Sequence, residues 1–339
     1  MYHIGKTLFL ISEKSYLYCD DATILIQMAN GAKHRLGYDT LSQIVIFYEN
    51  TTLSAYVMNR CAEHKISIHY VSVYGRYLGS FMSYKVGNVC LRKLQFDMIG
   101  TEKSVMYVRN VIAAKCKNSI WLLQYFGHHS VNKAKIDVVV GQIRNQMRML
   151  KTLQTIDDIR LLEMNVARLY FSLFDDLIKI NDERLFFDKR TQHPPLNCFN
   201  ALLSFFYTML TTLCESALLV RGLDSECGYL HTLRSGRCSL ACDLIEEFRA
   251  CIVDRFVLTI VNRKEVCFDD FINDNGRILL TDNARKNLLV KWDNYLNHTV
   301  VKHQLYGKDV SFKMLVYEQA QFLAQYIRGD IMEYPPFYM

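Results

Sequence analysis

Residues 75–98 read GRYLGSFMSYKVGNVCLRKLQFDM, and the pattern of the chain changes inside them. RYLGSFM has the aromatic, alternating character of a strand, whereas VCLRKLQFDM sets apolar residues three and four apart, the repeat of a helix face. Working back towards residue 1, the chain consists of short β-rich runs parted by polar turns: TLFLIS, SYLYCD, ATILIQM, AKHRLGY, QIVIFYE and ISIHYVSV. One interruption, TTLSAYVMNRCAEHK (51–65), reads as a helix capped by Thr51 or Thr52. Working forward from Asn88, helical spacing persists through residues 103–126, 135–150 and 155–178. After Pro194 and Pro195 it resumes in a long apolar helix from Leu196 to about Val220, then over 239–261, 281–296 and 310–327. The expected fold class is α+β: a small N-terminal β domain (1–85), one sheet carrying one helix, then a larger all-α-helical domain (86–339).

Half of the 339 residues are hydrophobic and 22% are charged, with no low-complexity tract, so the chain is globular rather than disordered. A net charge of +6 leans mildly towards anionic partners without establishing nucleic-acid binding. The cysteine count, 11, is odd, most fall in apolar helical patterns, and no CxxC pair occurs. That usage fits a reducing compartment, the cytoplasm, rather than a disulfide framework. The opening MYHIGKTLFLISEK lacks the apolar core and cleavage site of a signal peptide. The charge-free run 196–214 is long enough to span a bilayer, but carries Asn197, Asn200, Ser204, Thr208, Thr211 and Thr212 and is followed by Glu215. No tight basic flank accompanies it, so a helix buried in a bundle is expected and no membrane partner.

The densest chemistry lies in LHTLRSGRCSLACDLIEEFRA, residues 230–250. From Ser239, an expected N-cap, Leu240, Leu244 and Phe248 trace one helical face. Asp243 and Glu246, three apart, share another face. Glu247, about 100° further round the helix, is expected to make salt bridges at the surface. His231 sits apart in a loop marked by Gly236. On the residues alone, two readings stand: a capping histidine beside a solvated acidic face, or a metal site assembled from a loop and a helix. A third would close Cys227, His231, Cys238 and Cys242 around zinc, although their spacing matches no common zinc module.

Three blocks in the helical part resemble the CRISPR-associated integrase family, the nuclease of spacer acquisition. EMNVARLYF carries Glu163, Ala167, Arg168, Tyr170 and Phe171. RTQHPPLNCFNALLSFFYTML carries Arg190, the two prolines and Asn200 to Ser204. The third, GLDSECGYLHTLRSGRCSLACDLIEEFR, matches at Gly222, Asp224, Gly228, His231, Gly236, Arg237, Ser239, Asp243, Glu246 and Arg249, among others. GRYLGSF and GNVCLRKLQ agree as well, so the resemblance spans nearly the whole chain, and the LLSFFYTML and GRYLGSF blocks lean towards a type I system. Met164, Asn197 and Ala250 depart from the family's frequent glycine, aspartate and proline, and none is a proposed ligand.

The resemblance implies that Glu163, His231 and Glu246 bind Mg²⁺ or Mn²⁺, and two carboxylates with one imidazole suit such hard cations. It places Asp243 with them in the catalytic set, either binding a second ion or orienting His231, and the second role is the one adopted. The implied reaction is transesterification: the 3′-hydroxyl of captured DNA attacks a phosphodiester at the edge of a CRISPR repeat. With water as nucleophile the same centre is an endonuclease. Implied partners are double-stranded and branched DNA, a second copy joined through the β domain, and a small ferredoxin-like protein bridging two dimers. Arg168, Arg190, Arg237 and Arg249 are candidate phosphate contacts, Arg237 and Arg249 foremost because they flank the metal motif. Tyr16 and Tyr18 could stack on a duplex end, but core or dimer-interface tyrosines are the preferred reading. The alternatives are a stand-alone metallonuclease acting on branched DNA or RNA, and a non-catalytic DNA-binding subunit.

Overall fold

The computed structural model describes residues 6–11, 14–20, 22–48, 50–72, 77–81, 88–128, 130–191, 194–305, 307 and 309–339. The boundary expected at residues 85 and 86 lies outside the described residues. Before it come β1 (Lys6–Leu10), β2 (Tyr16–Cys19), β3 (Thr23–Gln27), β4 (Lys33–Gly37), β5 (Leu41–Ile46), β6 (Thr52–Leu53), α1 (Ala55–Glu63), β7 (Ser67–Val71) and β8 (Tyr77–Phe81). These strands build two four-stranded sheets rather than one, ordered β1-β5-β7-β8 and β4-β3-β2-β6. The cap of α1 is Ser54, whose side chain accepts from Val57 N at 3.2 Å, not Thr51 or Thr52. Thr52 is instead taken up in β6, paired in parallel with β2.

In the first sheet β1, β5 and β7 run parallel, and β5 is the central, two-sided strand. Its side chains alternate between faces. Ile44 and Ile46 pack with Leu17, Ile24, Val57 and Cys61 into a small core shared with the second sheet and α1. Val45 and the following Phe47 turn the other way into the core of the helical part, where Phe47 stacks on Phe205 at 6.0 Å. A strand apolar on both faces needs cover on both, and the helical part supplies the second cover.

That part contains α2 (Val89–Asp97), α3 (Glu102–Gly127), α4 (Lys133–Met149), α5 (Ile156–Phe171), α6 (Phe174–Leu177), α7 (Cys198–Val220), α8 (Ser239–Leu244), α9 (Arg255–Asn262), α10 (Asp282–His298) and α11 (Phe312–Arg328). It is not purely helical. Two hairpins, β9 (Phe271–Asp274) with β10 (Arg277–Leu280) and β11 (Val300–Lys302) with β12 (Asp309–Ser311), interrupt it. The first turns through Asn275 and Gly276, both at positive φ, the dipeptide that suits a tight hairpin turn. The long apolar helix is α7: 18 of its 23 residues are buried, and a helix apolar nearly all round belongs inside a fold. It begins at Cys198, where Asn197 caps it by accepting from Asn200 N at 2.8 Å. Asparagine there does what the family's aspartate would do.

Candidate active site

His231 is placed by its backbone before its ring. Gly228 lies so close to α8 that a Cβ on it would sit 2.6 Å from the Ser239 carbonyl carbon. From α8, the fully buried Asp243 takes four hydrogen bonds from this loop. Its Oδ2 accepts from Tyr229 N (2.6 Å) and Leu230 N (2.9 Å), and its Oδ1 from His231 N (2.9 Å) and His231 Nδ1 (2.7 Å). A carboxylate offers only acceptors, so Nδ1 carries a proton and Nε2 is the nitrogen left turned towards Glu246. Arg160 clamps the same loop, its Nε donating to Leu230 O at 2.5 Å. Ser239 is not the cap of α8. Cys238 holds that position without a side-chain cap bond, and Ser239 Oγ donates to Thr232 O at 3.2 Å, tying loop to helix.

The single helix expected over 239–261 is broken in the middle. After α8 comes a 3-10 turn at Ile245–Glu247, then a π-helical turn at Arg249–Asp254, then α9. Wide turns of this kind are frequent at functional sites. Here the change of pitch lets Asp243 and Glu246 address opposite nitrogens of one imidazole: Glu246 Oε1 stands 3.9 Å from His231 Nε2.

Glu163 comes from α5 and meets Glu246 across a lysine. Lys115, on the buried stripe of α3, donates to Glu246 Oε2 at 2.6 Å and to Glu163 Oε1. Arg249 Nε donates to Glu246 Oε1 at 3.0 Å. Burial pushes the Glu246 carboxyl up, but Arg249, Lys115 and His231 together hold it well below the usual carboxylate range. Burial opposes charge on Lys115 as well, and Glu246 and Glu163 outweigh it, raising its pKa. These groups line a cavity of about 410 Å³. On its far wall Asp254 accepts from Tyr170 Oη (2.7 Å) and Tyr207 Oη (2.5 Å), and burial raises its carboxyl to about 6. The Arg249 guanidinium lies 4.5 Å from the Tyr207 ring centre.

The structure thus brings together Glu163, His231 and Glu246, with Asp243 behind the histidine and outside the cavity lining. Arg190 and Arg237 line the cavity too. Arg237 is exposed at its rim, whereas Arg190 is engaged with Thr191 O, Asn200 Oδ1 (2.8 Å) and Ser204 Oγ (3.3 Å). Arg168 is exposed near the end of α5 and does not line the cavity. Tyr16 and Tyr18 stack at 5.5 Å, and Tyr16 is exposed, so the pair is not core. Glu247 makes no surface salt bridge. It is fully buried and accepts from Tyr334 Oη, Gln319 Nε2 (2.9 Å) and Phe337 N (2.8 Å), because the break in the helix turns it inward. Lys115, Arg160 and Asp254 were passed over in the sequence. Lys115 had a signal: a charge among Val108, Val111, Ile112 and Leu122 on a buried helix face requires an acidic partner.

Among the described residues no three His, Cys, Asp or Glu side chains already converge as a metal-ligand group, the four zinc candidates included. Around Glu163 and Glu246 the reason is visible, since the Lys115 ammonium stands between the carboxylates. The donor set itself fits a hard divalent cation: two carboxylates and an imidazole nitrogen whose partner nitrogen is fixed by Asp243.

An α+β chain whose helical part gathers two glutamates and an aspartate-held histidine beside a cavity edged with arginines defines an acid–imidazole centre. The chain belongs to the Cas1 family: the family model described as CRISPR associated protein Cas1 matches residues 8–294. It is 32% identical over 342 residues to a CRISPR-associated endonuclease Cas1 of Moorella thermoacetica, covering 99% of each chain. To one from Chlorobaculum tepidum it is 33% identical, covering 98% of each. Among solved structures, a Cas1 protein from Thermotoga maritima superposes with a TM-score of 0.82 at 23% identity, covering 98% of this chain and all of that one. A casposase bound to its integration product gives 0.85 at 19% identity, over 97% of this chain and 93% of that one. A Cas6-RT-Cas1–Cas2 complex gives 0.82 at 22% identity, over 97% of this chain and 36% of that one. These three likenesses speak for the fold.

Proposed function

We propose that the chain is a divalent-metal-dependent DNA endonuclease and strand transferase that joins the 3′-hydroxyl ends of captured DNA into a CRISPR repeat. The observation that carries this reading is the convergence of Glu163, His231 and Glu246, from three separate segments, on one cavity. Bound by Glu163, His231 Nε2 and Glu246, Mg²⁺ or Mn²⁺ would supply Lewis-acid polarisation of the scissile phosphate and neutralise charge developing on it. Asp243 is a positioning residue, fixing the tautomer and direction of His231. Arg237 at the rim would hold a DNA phosphate, a contact that adds salt-sensitive affinity without reading bases. Arg249 and Arg190 are already engaged within the cavity wall, one neutralising Glu246 and the other fixing the start of α7. The exposed Arg168 is a more distant phosphate contact.

Assembly follows the same reading. Relatives of this fold occur in complexes with a Cas2 protein, and the chain would act as a homodimer, joined through its strand-rich part, with two dimers clasping a small ferredoxin-like partner. The test uses branched DNA with a labelled 3′-hydroxyl end, incubated with Mn²⁺, Mg²⁺ or EDTA and with wild-type or His231→Ala protein. Metal-dependent joining that disappears in the variant supports the proposal. Cutting without joining would leave a nuclease alone, and joining by folded His231→Ala would overturn the assignment.

A further inference from the structure

Lys115 is the least expected member of the centre. Its side chain is only 13% exposed, it emerges from the middle of α3, and its ammonium touches Glu163 and Glu246 at once. No other acid is recorded as its partner among the described residues. Two carboxylates therefore face two cations, Lys115 and Arg249. Without a cation, the buried Glu246 and the half-buried Glu163, both turned to one point, would repel. The lysine offsets that repulsion from the point the two carboxylates share.

A divalent cation drawn to these two carboxylates would meet an ammonium already bonded to both of them, and at such range two cations repel strongly in a partly buried site. Arg249 differs, because it approaches Glu246 on Oε1 and is held over the Tyr207 ring. Lys115 has a flexible four-carbon stem and open cavity beside it. Resting on the metal-dependent reading above, we propose that Lys115 is a displaceable counter-cation. It holds Glu163 and Glu246 in place in the metal-free protein, and it must leave them before the metal can bind. The centre is then preassembled at the cost of metal affinity.

Mn²⁺ binding to the full-length protein, followed by electron paramagnetic resonance of the free ion and by calorimetry, tests this without any turnover. Wild type is compared with Lys115→Met, Lys115→Arg and Glu246→Gln, and circular dichroism confirms folding. The expected result is that Lys115→Met binds Mn²⁺ at least tenfold more tightly than wild type and that Lys115→Arg stays near wild type. Metal-free Lys115→Met should also melt below wild type, with Mn²⁺ restoring more of its stability. Should Lys115→Met not fold alone, Lys115→Gln prepared in Mn²⁺ and then dialysed answers the same question. Equal or weaker Mn²⁺ binding by a folded neutral variant overturns the inference while leaving the metal site standing. Binding that Glu246→Gln does not weaken overturns both.

Discussion

Replacing Asp243 by asparagine conserves size and volume yet turns one of two acceptor atoms into a donor. The four donors that converge on Asp243 cannot all be served by an amide. If the amide oxygen faces His231, the NH₂ group confronts Tyr229 N–H and Leu230 N–H, which lose their acceptor. If the oxygen faces those two, the NH₂ donates to His231 Nδ1 and forces the proton to Nε2, the nitrogen proposed to bind metal, while His231 N–H is orphaned. Each buried donor left without a partner costs about 1–3 kcal/mol, so the first arrangement costs about 4 kcal/mol. The second costs less in stability but takes the lone pair from Nε2. Urea unfolding should show Asp243→Asn destabilised by about 2–4 kcal/mol. Mn²⁺ titration of the same samples should show affinity reduced by about 10–100-fold. A variant within about 0.5 kcal/mol of wild type and with unchanged Mn²⁺ affinity would refute the argument that this carboxylate sets the tautomer.

Three further outcomes are expected. Asp254 has its carboxyl raised from 3.8 to about 6, so between those values the folded protein holds a proton the unfolded chain has released. Its stabilising share is complete below about pH 4 and is lost as pH rises through about 6, a change of about 3 kcal/mol; denaturant melts across that window should slope downward in wild type and lose this slope in Asp254→Asn. Gly228→Ala would drive a methyl group into the Ser239 backbone, and thermal unfolding should report a loss of about 3 kcal/mol together with weaker Mn²⁺ binding, since the loop carrying His231 is pushed off α8. Arg237→Ala should weaken binding to DNA of any sequence and lower the slope of log affinity against log salt by about one, with binding isotherms at several salt concentrations as the measure.

Much of this molecule was legible because periodicity is local. The switch from two-residue to helical spacing around residue 88 separated strands from helices, and the strand runs fell where β1 to β5, β7 and β8 lie, while β6 lies in the run read as helix. The two-sheet arrangement was not legible, since alternation tells which side chains share a face but not which strands pair. The β9–β10 hairpin was overlooked despite its Asn275–Gly276 signal. In the site, Glu163, His231 and Glu246 are separated by 68 and 15 residues, so only the resemblance linked them before the fold did. A regular helix from Ser239 to Val261 puts Glu247 at the surface, whereas the 3-10 turn at Ile245–Glu247 turns its side chain inward. Backbone irregularity of that kind leaves no periodic trace.

The back of the centre is closed by residues 334–339. Tyr334 and Phe337 engage Glu247, and Asn118 on α3 both donates to Phe337 O (3.1 Å) and accepts from Met339 N (2.8 Å). Glu247 is the immediate neighbour of Glu246, and Asn118 lies one turn from Lys115, so this segment braces both sides of the carboxylate–lysine contact. A chain that folds with this segment detached carries Glu163, His231 and Glu246 in full while the support behind Glu246 and Lys115 is missing.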